Sequence, residues 1–159
     1  MTDLRVGIGY DAHALEDGVP LVLGGVPVEY PRGLAGHSDG DVISHALIDA
    51  ILGAANLGDI GSLFPSGDEQ YRGASSLDLL WEAYREVREA GWELVNADCV
   101  LVGEEPRIGD VRGEMCERLA GALGVEPGRV TVRATTTDGL GFTGRGEGLA
   151  AQAVALLRR

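Results

Sequence analysis

Lysine is absent from this chain; all 13 basic side chains are arginine. Schiff-base chemistry on a lysine, lysine-anchored pyridoxal phosphate and a P-loop lysine are therefore excluded. Basic excess is missing too: the 159 residues include 25 acidic side chains, for a formal net charge of −12. Nothing here neutralises a phosphate backbone or an anionic bilayer, so no nucleic acid and no membrane is expected as a partner. Cysteine is scarce. Cys99 and Cys116 are too few for a disulfide framework and too far apart for a zinc knuckle, and both are expected as buried thiols in apolar runs. Long apolar runs are missing, so no segment reaches the ~20 residues that a membrane crossing needs. Met1-Thr2-Asp3 leads straight into a strand-like run instead of a basic, then apolar, leader, and the expected location is cytoplasmic. A small anionic ligand would need metal ions, arginine or helix N-termini to reverse the local field.

Glycine is abundant at 25 residues, without a collagen period or a low-complexity block. The length suits one domain, 1–159. Leu4 to Asp11 alternates as a strand does, and Leu21–Leu23 and Val26–Val28 flank Gly24-Gly25 as a hairpin. A helix is expected from Asp39 to Ala55, with Val42, Ile43, Ala46, Leu47, Ala50, Ile51 and Ala54 as its apolar face; Ser38 and Asp41 resemble a capping box at its start. Further helices are expected over Ser75–Ala90 and Ile108–Leu123, with Gly91 and Gly124 as stops. Glu93–Val95, Asp98–Gly103 and Val130–Thr135 read as short strands, and Leu149–Leu157 fits a helix or a buried strand. The interspersed elements imply an α/β or α+β fold, one sheet with a helical layer.

All three histidines, His13, His37 and His45, lie in the first third of the chain. Asp11 and His13 are two apart on an extended backbone, so their side chains share a face. His45 sits one helical turn from Asp41 and from Asp49. Two histidines and a carboxylate suit zinc with a fourth position left open, the arrangement of a catalytic metal site. Asp41 and Asp49 are either groups that fix the His45 tautomer or a solvated helix face. Gly7-x-Gly9-x-x-Ala12 has the letters of a dinucleotide fingerprint, but Leu15-Glu16-Asp17-Gly18-Val19-Pro20 cannot open the helix it requires. Thr135-Thr136-Thr137-Asp138 runs into a glycine-rich segment; three hydroxyls and a carboxylate suit phosphate oxygens and a hard cation, or simply a threonine-rich strand end.

Five blocks carry a resemblance. Asp11-Ala12-His13, Gly36-His37-Ser38-Asp39-Gly40-Asp41-Val42 with His45-Ala46, Gly58-Asp59-Ile60-Gly61 with Phe64-Pro65, Ala134-Thr135-Thr136-Thr137, and Gly141-Phe142-Thr143-Gly144-Arg145-Gly146-Glu147-Gly148 resemble the 2-C-methyl-D-erythritol 2,4-cyclodiphosphate synthases of the non-mevalonate isoprenoid pathway. The resemblance implies an intramolecular phosphoryl transfer that releases CMP, catalysed by positioning and charge neutralisation. It implies zinc on Asp11, His13 and His45, and a second ion, magnesium or manganese, on Asp138. His37 and Thr136 occupy transition-state positions. Ser38, Asp59, Ile60, Gly61, Phe64 and Asp68 fall on the methylerythritol side. Gly103, Pro106, Arg107, Ile108, Gly109, Ala134, Thr135 and Thr137 fall on the cytidine diphosphate side, and Phe142 and Arg145 on further motif positions. Relatives keep a central cavity for isoprenoid phosphates near Arg145 and Glu147. A homotrimer with shared sites is implied, its mixed sheets facing the threefold axis and its helices on the other face, which favours strand for Leu149–Leu157. Asp138 replaces the usual Glu, Arg107 a common Lys, and Ser66-Gly67-Asp68 a more acidic loop. A binding protein with structural zinc and a zinc hydrolase are the competing functions.

Overall fold

A computed structural model describes all residues, 1–159. Its central sheet has five strands: β1 (Leu4–Asp17), β4 (Arg32–Leu34), β5 (Glu93–Val102), β6 (Val130–Thr135) and β7 (Gly148–Arg158). Their order is β4-β1-β7-β5-β6, antiparallel throughout except for the parallel β5–β6 pair. β2 (Leu21–Leu23) and β3 (Val26–Val28) form a separate hairpin around Gly24-Gly25, both at positive φ. The helices are α1 (Val42–Ala55), α2 (Ile60–Leu63), α3 (Ser76–Glu89), α4 (Arg112–Leu123) and α5 (Gly141–Gly144). One cluster of 37 buried residues runs from the hairpin through α1 to α4, so there is one core rather than two. No helix is long and apolar enough to cross a membrane.

Several expectations change. β1 continues through Ala12 to Asp17, which removes the place a dinucleotide helix would need. Helix α1 starts at Val42, not Asp39, and Ser38 takes no part in its cap. Asp41 is the N-cap, accepting from the N–H groups of Ile43 and Ser44 at 3.2 Å each. Its carboxylate also accepts from the N–H groups of Gly24 and Gly25 and from the Ser44 hydroxyl, tying the hairpin to the helix start. Asp41 is fully buried, and burial pushes its carboxyl above the ordinary range. The two short strands expected between Glu93 and Gly103 are one, with an irregularity at Leu94/Asn96. α4 begins at Arg112 instead of Ile108. Cys99 is buried as expected, its thiol pushed up to about 12 by burial, but Cys116 is only half-buried.

Helix α1 is not amphipathic in the ordinary sense: 12 of its 14 residues are buried. It lies against β1, β7 and β5 on one side and α3 on another. The inward face of β1 explains the close approach. Gly7 and Gly9 point at the helix, where a Cβ would run into the carbonyl oxygens of Ala50 and Ala46. The same face continues as Asp11 and His13, so the strand reaches His45 just where its glycines end. The Gly-x-Gly letters serve helix–strand packing. Gly9→Ala is therefore expected to cost about 3 kcal/mol, because backbone cannot yield as a side chain does, and to lower the melting temperature by about 10 °C. Calorimetry of the purified variant checks this; an unchanged melting temperature would mean that the helix can move away.

Candidate metal centre and two clefts

Asp11 and His13 extend from the inward face of β1, and His45 from the first turn of α1. Asp11 Oδ2 lies 2.9 Å from His13 Nε2 and 3.1 Å from His45 Nδ1. The ligand atoms all fall within 4.8 Å of one another. A tetrahedral cation with bonds of ~2.0–2.2 Å needs its ligand atoms about 3.3–3.6 Å apart, near the 2.9 and 3.1 Å between Asp11 Oδ2 and the two ring nitrogens. His13 Nε2 is buried and has no hydrogen-bond partner, because its approach to Asp11 lacks the alignment of a hydrogen bond. An orphaned ring nitrogen aimed where a second ring nitrogen and a carboxylate converge fits a divalent metal. Burial works against the Asp11 charge, but the two histidines beside it more than offset that and hold its carboxyl at about 2. The Asp11 carboxylate in turn raises His13, against the opposing effect of burial.

These residues open onto a cleft of about 430 Å³, which His37, Ser38, Ile60, Gly61 and Phe64 also line. His37 Nε2 donates to the carbonyl of Asp68 at 2.8 Å, which leaves Nδ1 as the acceptor. Asp59 and Asp68, expected at the cleft, turn their carboxylates elsewhere. Asp59 caps α2 by accepting from Ser62 N–H, and Asp68 accepts from the backbone and side chain of Gln70. Asp49 does not reach His45 as a hydrogen-bond partner. It accepts from Ile60 N–H at 2.7 Å and so anchors the α2 turn along the cleft wall, with burial raising its carboxyl. Asp41, His45 and Asp49, one turn apart in succession, thus divide into a buried cap, a metal-ligand candidate and a loop anchor. Tyr71 and Leu79 line the cleft without having been expected there.

A second cleft of about 390 Å³ takes Gly103, Pro106, Arg107, Ile108, Gly109, Ala134, Thr135 and Thr136. It shares no residue with the first. Strand register shows why. Ala12 pairs with Ala150, Ala150 with Val102 and Val102 with Thr135, so the metal centre and the threonine run lie on one row across the sheet. Three strand spacings separate β1 from β6, about 14 Å. Thr137 and Asp138 lie beyond the row. Thr137 Oγ1 donates to Leu140 O at 2.6 Å and pairs with Thr143 Oγ1, which closes the loop before α5. Asp138 has a φ of 53°, and its Oδ1 accepts from Thr136 Oγ1 at 3.2 Å. Phe142 is part-exposed on α5, and Arg145 pairs with Glu147 at 3.2 Å in the open. No single-chain cleft gathers these four with the metal centre.

A sequence model described as the YgbB family matches residues 4–158. The chain belongs to that family. Among YgbB relatives, a 2-C-methyl-D-erythritol 2,4-cyclodiphosphate synthase of Moorella thermoacetica is 58% identical over 154 residues, 97% of this chain and 94% of that one. The synthase of Rubrobacter xylanophilus is 57% identical, over 100% of this chain and 98% of its own. A solved 2C-methyl-D-erythritol-2,4-cyclodiphosphate synthase in a CDP-bound form superposes with a TM-score of 0.88 at 40% identity, covering 96% of this chain and 99% of that one. The mixed sheet with helices is thus the YgbB fold.

Proposed function

We propose that residues 1–159 form one synthase domain that converts 4-diphosphocytidyl-2-C-methyl-D-erythritol 2-phosphate to 2-C-methyl-D-erythritol 2,4-cyclodiphosphate and CMP. The observation that carries this reading is the convergence of Asp11, His13 and His45 with an unpartnered buried nitrogen among them. The family and its synthase relatives support the substrate. An oxygen of the 2-phosphate attacks the β-phosphorus, the bond from that phosphorus to the bridging oxygen breaks, and CMP leaves with the bridging oxygen. Attacker and target share one molecule, so the chain needs no nucleophile of its own. Asp11, His13 and His45 would hold zinc, and Asp138 magnesium or manganese. Such ions would supply positive charge to the phosphates as CMP leaves. His37 and Thr136 contact the transferring group. Ser38, Ile60, Gly61 and Phe64 hold the methylerythritol phosphate, while Arg107 and the Gly103–Gly109 turn hold the nucleotide.

The two clefts belong to one reaction only if a neighbour's second cleft meets this chain's first. Leu4, Val6, Ile8, Tyr10 and Val154 form an exposed apolar face on the sheet side opposite α1. Packing that face around a threefold axis buries it in a homotrimer and brings β1 of one protomer towards β6 of the next. CMP release with phosphorus NMR of the product tests the reaction. A cyclic diphosphate is expected; an acyclic product would indicate a zinc hydrolase, and no turnover a binding protein.

Asp138 stands outside the first cleft, so Asp138→Asn is expected to raise the magnesium needed for half-maximal rate about tenfold at unchanged zinc content. A magnesium titration with parallel zinc analysis checks this. Equal magnesium dependence would remove Asp138 from the second site, and joint loss of zinc and activity would indicate a collapsed site.

A further inference from the structure

His45 presents two nitrogens to two different neighbourhoods. Nδ1 faces Asp11 and the metal position. Nε2 faces Ser76 Oγ at 2.9 Å and Ser38 Oγ at 3.0 Å. Ser76 is fully buried at the first residue of α3, whereas Ser38 is half-buried on the cleft wall. The Ser76 hydroxyl also contacts Asp39 Oδ1, and Ser76 N–H donates to Asp39 Oδ2 at 3.0 Å. Asp39 is itself held, because its Oδ1 accepts from Asp41 N–H and its own N–H donates to Ala74 O.

The donors available along Asp39, Ser76 and His45 fix the direction of the contacts on the Nε2 side of the ring. A carboxylate has no proton to give, so the Ser76 O–H is the donor to Asp39. The hydroxyl proton is then committed, and the Ser76 oxygen meets His45 only as an acceptor. His45 must supply the proton from Nε2. Nδ1, which donates to Asp11 Oδ2 at 3.1 Å, is then the nitrogen that would give up its proton to a metal, and it points at the place where Asp11 Oδ2 and the orphaned His13 Nε2 converge.

We propose that Asp39 and Ser76 are a positioning relay that sets the His45 tautomer for metal binding, with Ser76 standing between carboxylate and imidazole. The relay rests on the reading of Asp11, His13 and His45 as a metal centre. It assigns to Asp39 and Ser76 the role that helical spacing suggested for Asp41 and Asp49, both of which are engaged elsewhere. It also links two loops at one point: the segment that leads from β4 into α1, and the start of α3. Ser38 shares the Nε2 proton from the cleft side, where its half-buried hydroxyl can also turn towards a ligand.

Two variants test the relay, Ser76→Ala and Asp39→Asn. Each keeps the size of the side chain or reduces it slightly, and alanine is well tolerated at a helix start. Zinc affinity of the stripped protein is measured by competition with a chromophoric chelator. In parallel, ¹⁵N-histidine labelling reports the ring nitrogens of the zinc-loaded protein; with 3 histidines in the chain, each signal is assignable. In the parent, His45 is expected to carry a slowly exchanging proton on Nε2 and zinc on Nδ1. Ser76→Ala is expected to weaken zinc binding about 10- to 100-fold and to expose that proton to exchange. Asp39→Asn should fall between the two. Zinc affinity within about twofold of the parent, with unchanged Nε2–H exchange, overturns the relay, even if the variant melts earlier, since that outcome marks Ser76 as a helix start and nothing more. The proposed reaction fails separately: a zinc-loaded parent that shows the expected ring signals but releases no CMP leaves the relay standing and the synthase reading refuted.

Discussion

His45→Ala protein should purify with less than about one zinc per ten chains and release CMP at least about 10³-fold more slowly than the parent. Three ligands converge on the site, and two histidine or carboxylate donors without the third do not retain zinc against water. The rate effect follows from charge. Losing a cation that stabilises the transferring phosphate costs on the order of 4 kcal/mol of barrier, which is about 10³ in rate. The fold should survive, because alanine suits the first turn of α1 and Asp41 continues to cap it. Metal analysis of the purified variant is the direct check, with circular dichroism as a control. Zinc near one per chain would remove His45 from the ligand set.

The second large effect is a recovery. His45→Ala disables the first cleft, and Arg107→Ala with Thr136→Ala disables the second. Each protein alone should be inactive. If each active site takes one cleft from each of two protomers, unfolding and refolding the two proteins together should restore activity. Random assembly places an intact first cleft against an intact second cleft in about one site in four, so about a quarter of the parent rate is expected. Sedimentation should show a trimer in every sample. Persistent inactivity of well-formed mixed trimers would mean that both clefts must belong to one chain. The 14 Å scale of the row between Ala12 and Thr135 argues against that.

Much of this was readable in the letters. The Asp11-x-His13 pair needed only strand alternation, and β6 with its threonine run needed no more. β7 was not readable that way. Its alanines suggest helix by propensity, yet Ala151, Ala153 and Ala155 are small because α1 packs against them, and tertiary packing overrode local preference. The resemblance to a known family, not the composition, indicated strand. The start of α1 was misplaced because Ser38 and Asp41 have a cap's spacing, whereas Ser38 belongs to His45. Asp59 and Asp68 occupy motif positions, but the turns around them use their carboxylates locally. The Asp39–Ser76 contact joins positions 37 apart. No periodicity reports on such a pair; only the folded chain brings them together.

The sheathing of α1 has a kinetic meaning. A helix with 12 of its 14 residues buried cannot fray towards solvent without opening the core, so the amides from Leu47 to Leu52 should exchange hydrogen only through global unfolding. His45 rides on that helix. The ordering entropy of this ligand is spent when the chain folds, not when the metal arrives, and ion capture needs little further reorganisation of α1. Metal exchange would then run on motions of the short elements that complete the cleft wall, the turns around Ile60 and Phe64, and its rate would change without any change in α1.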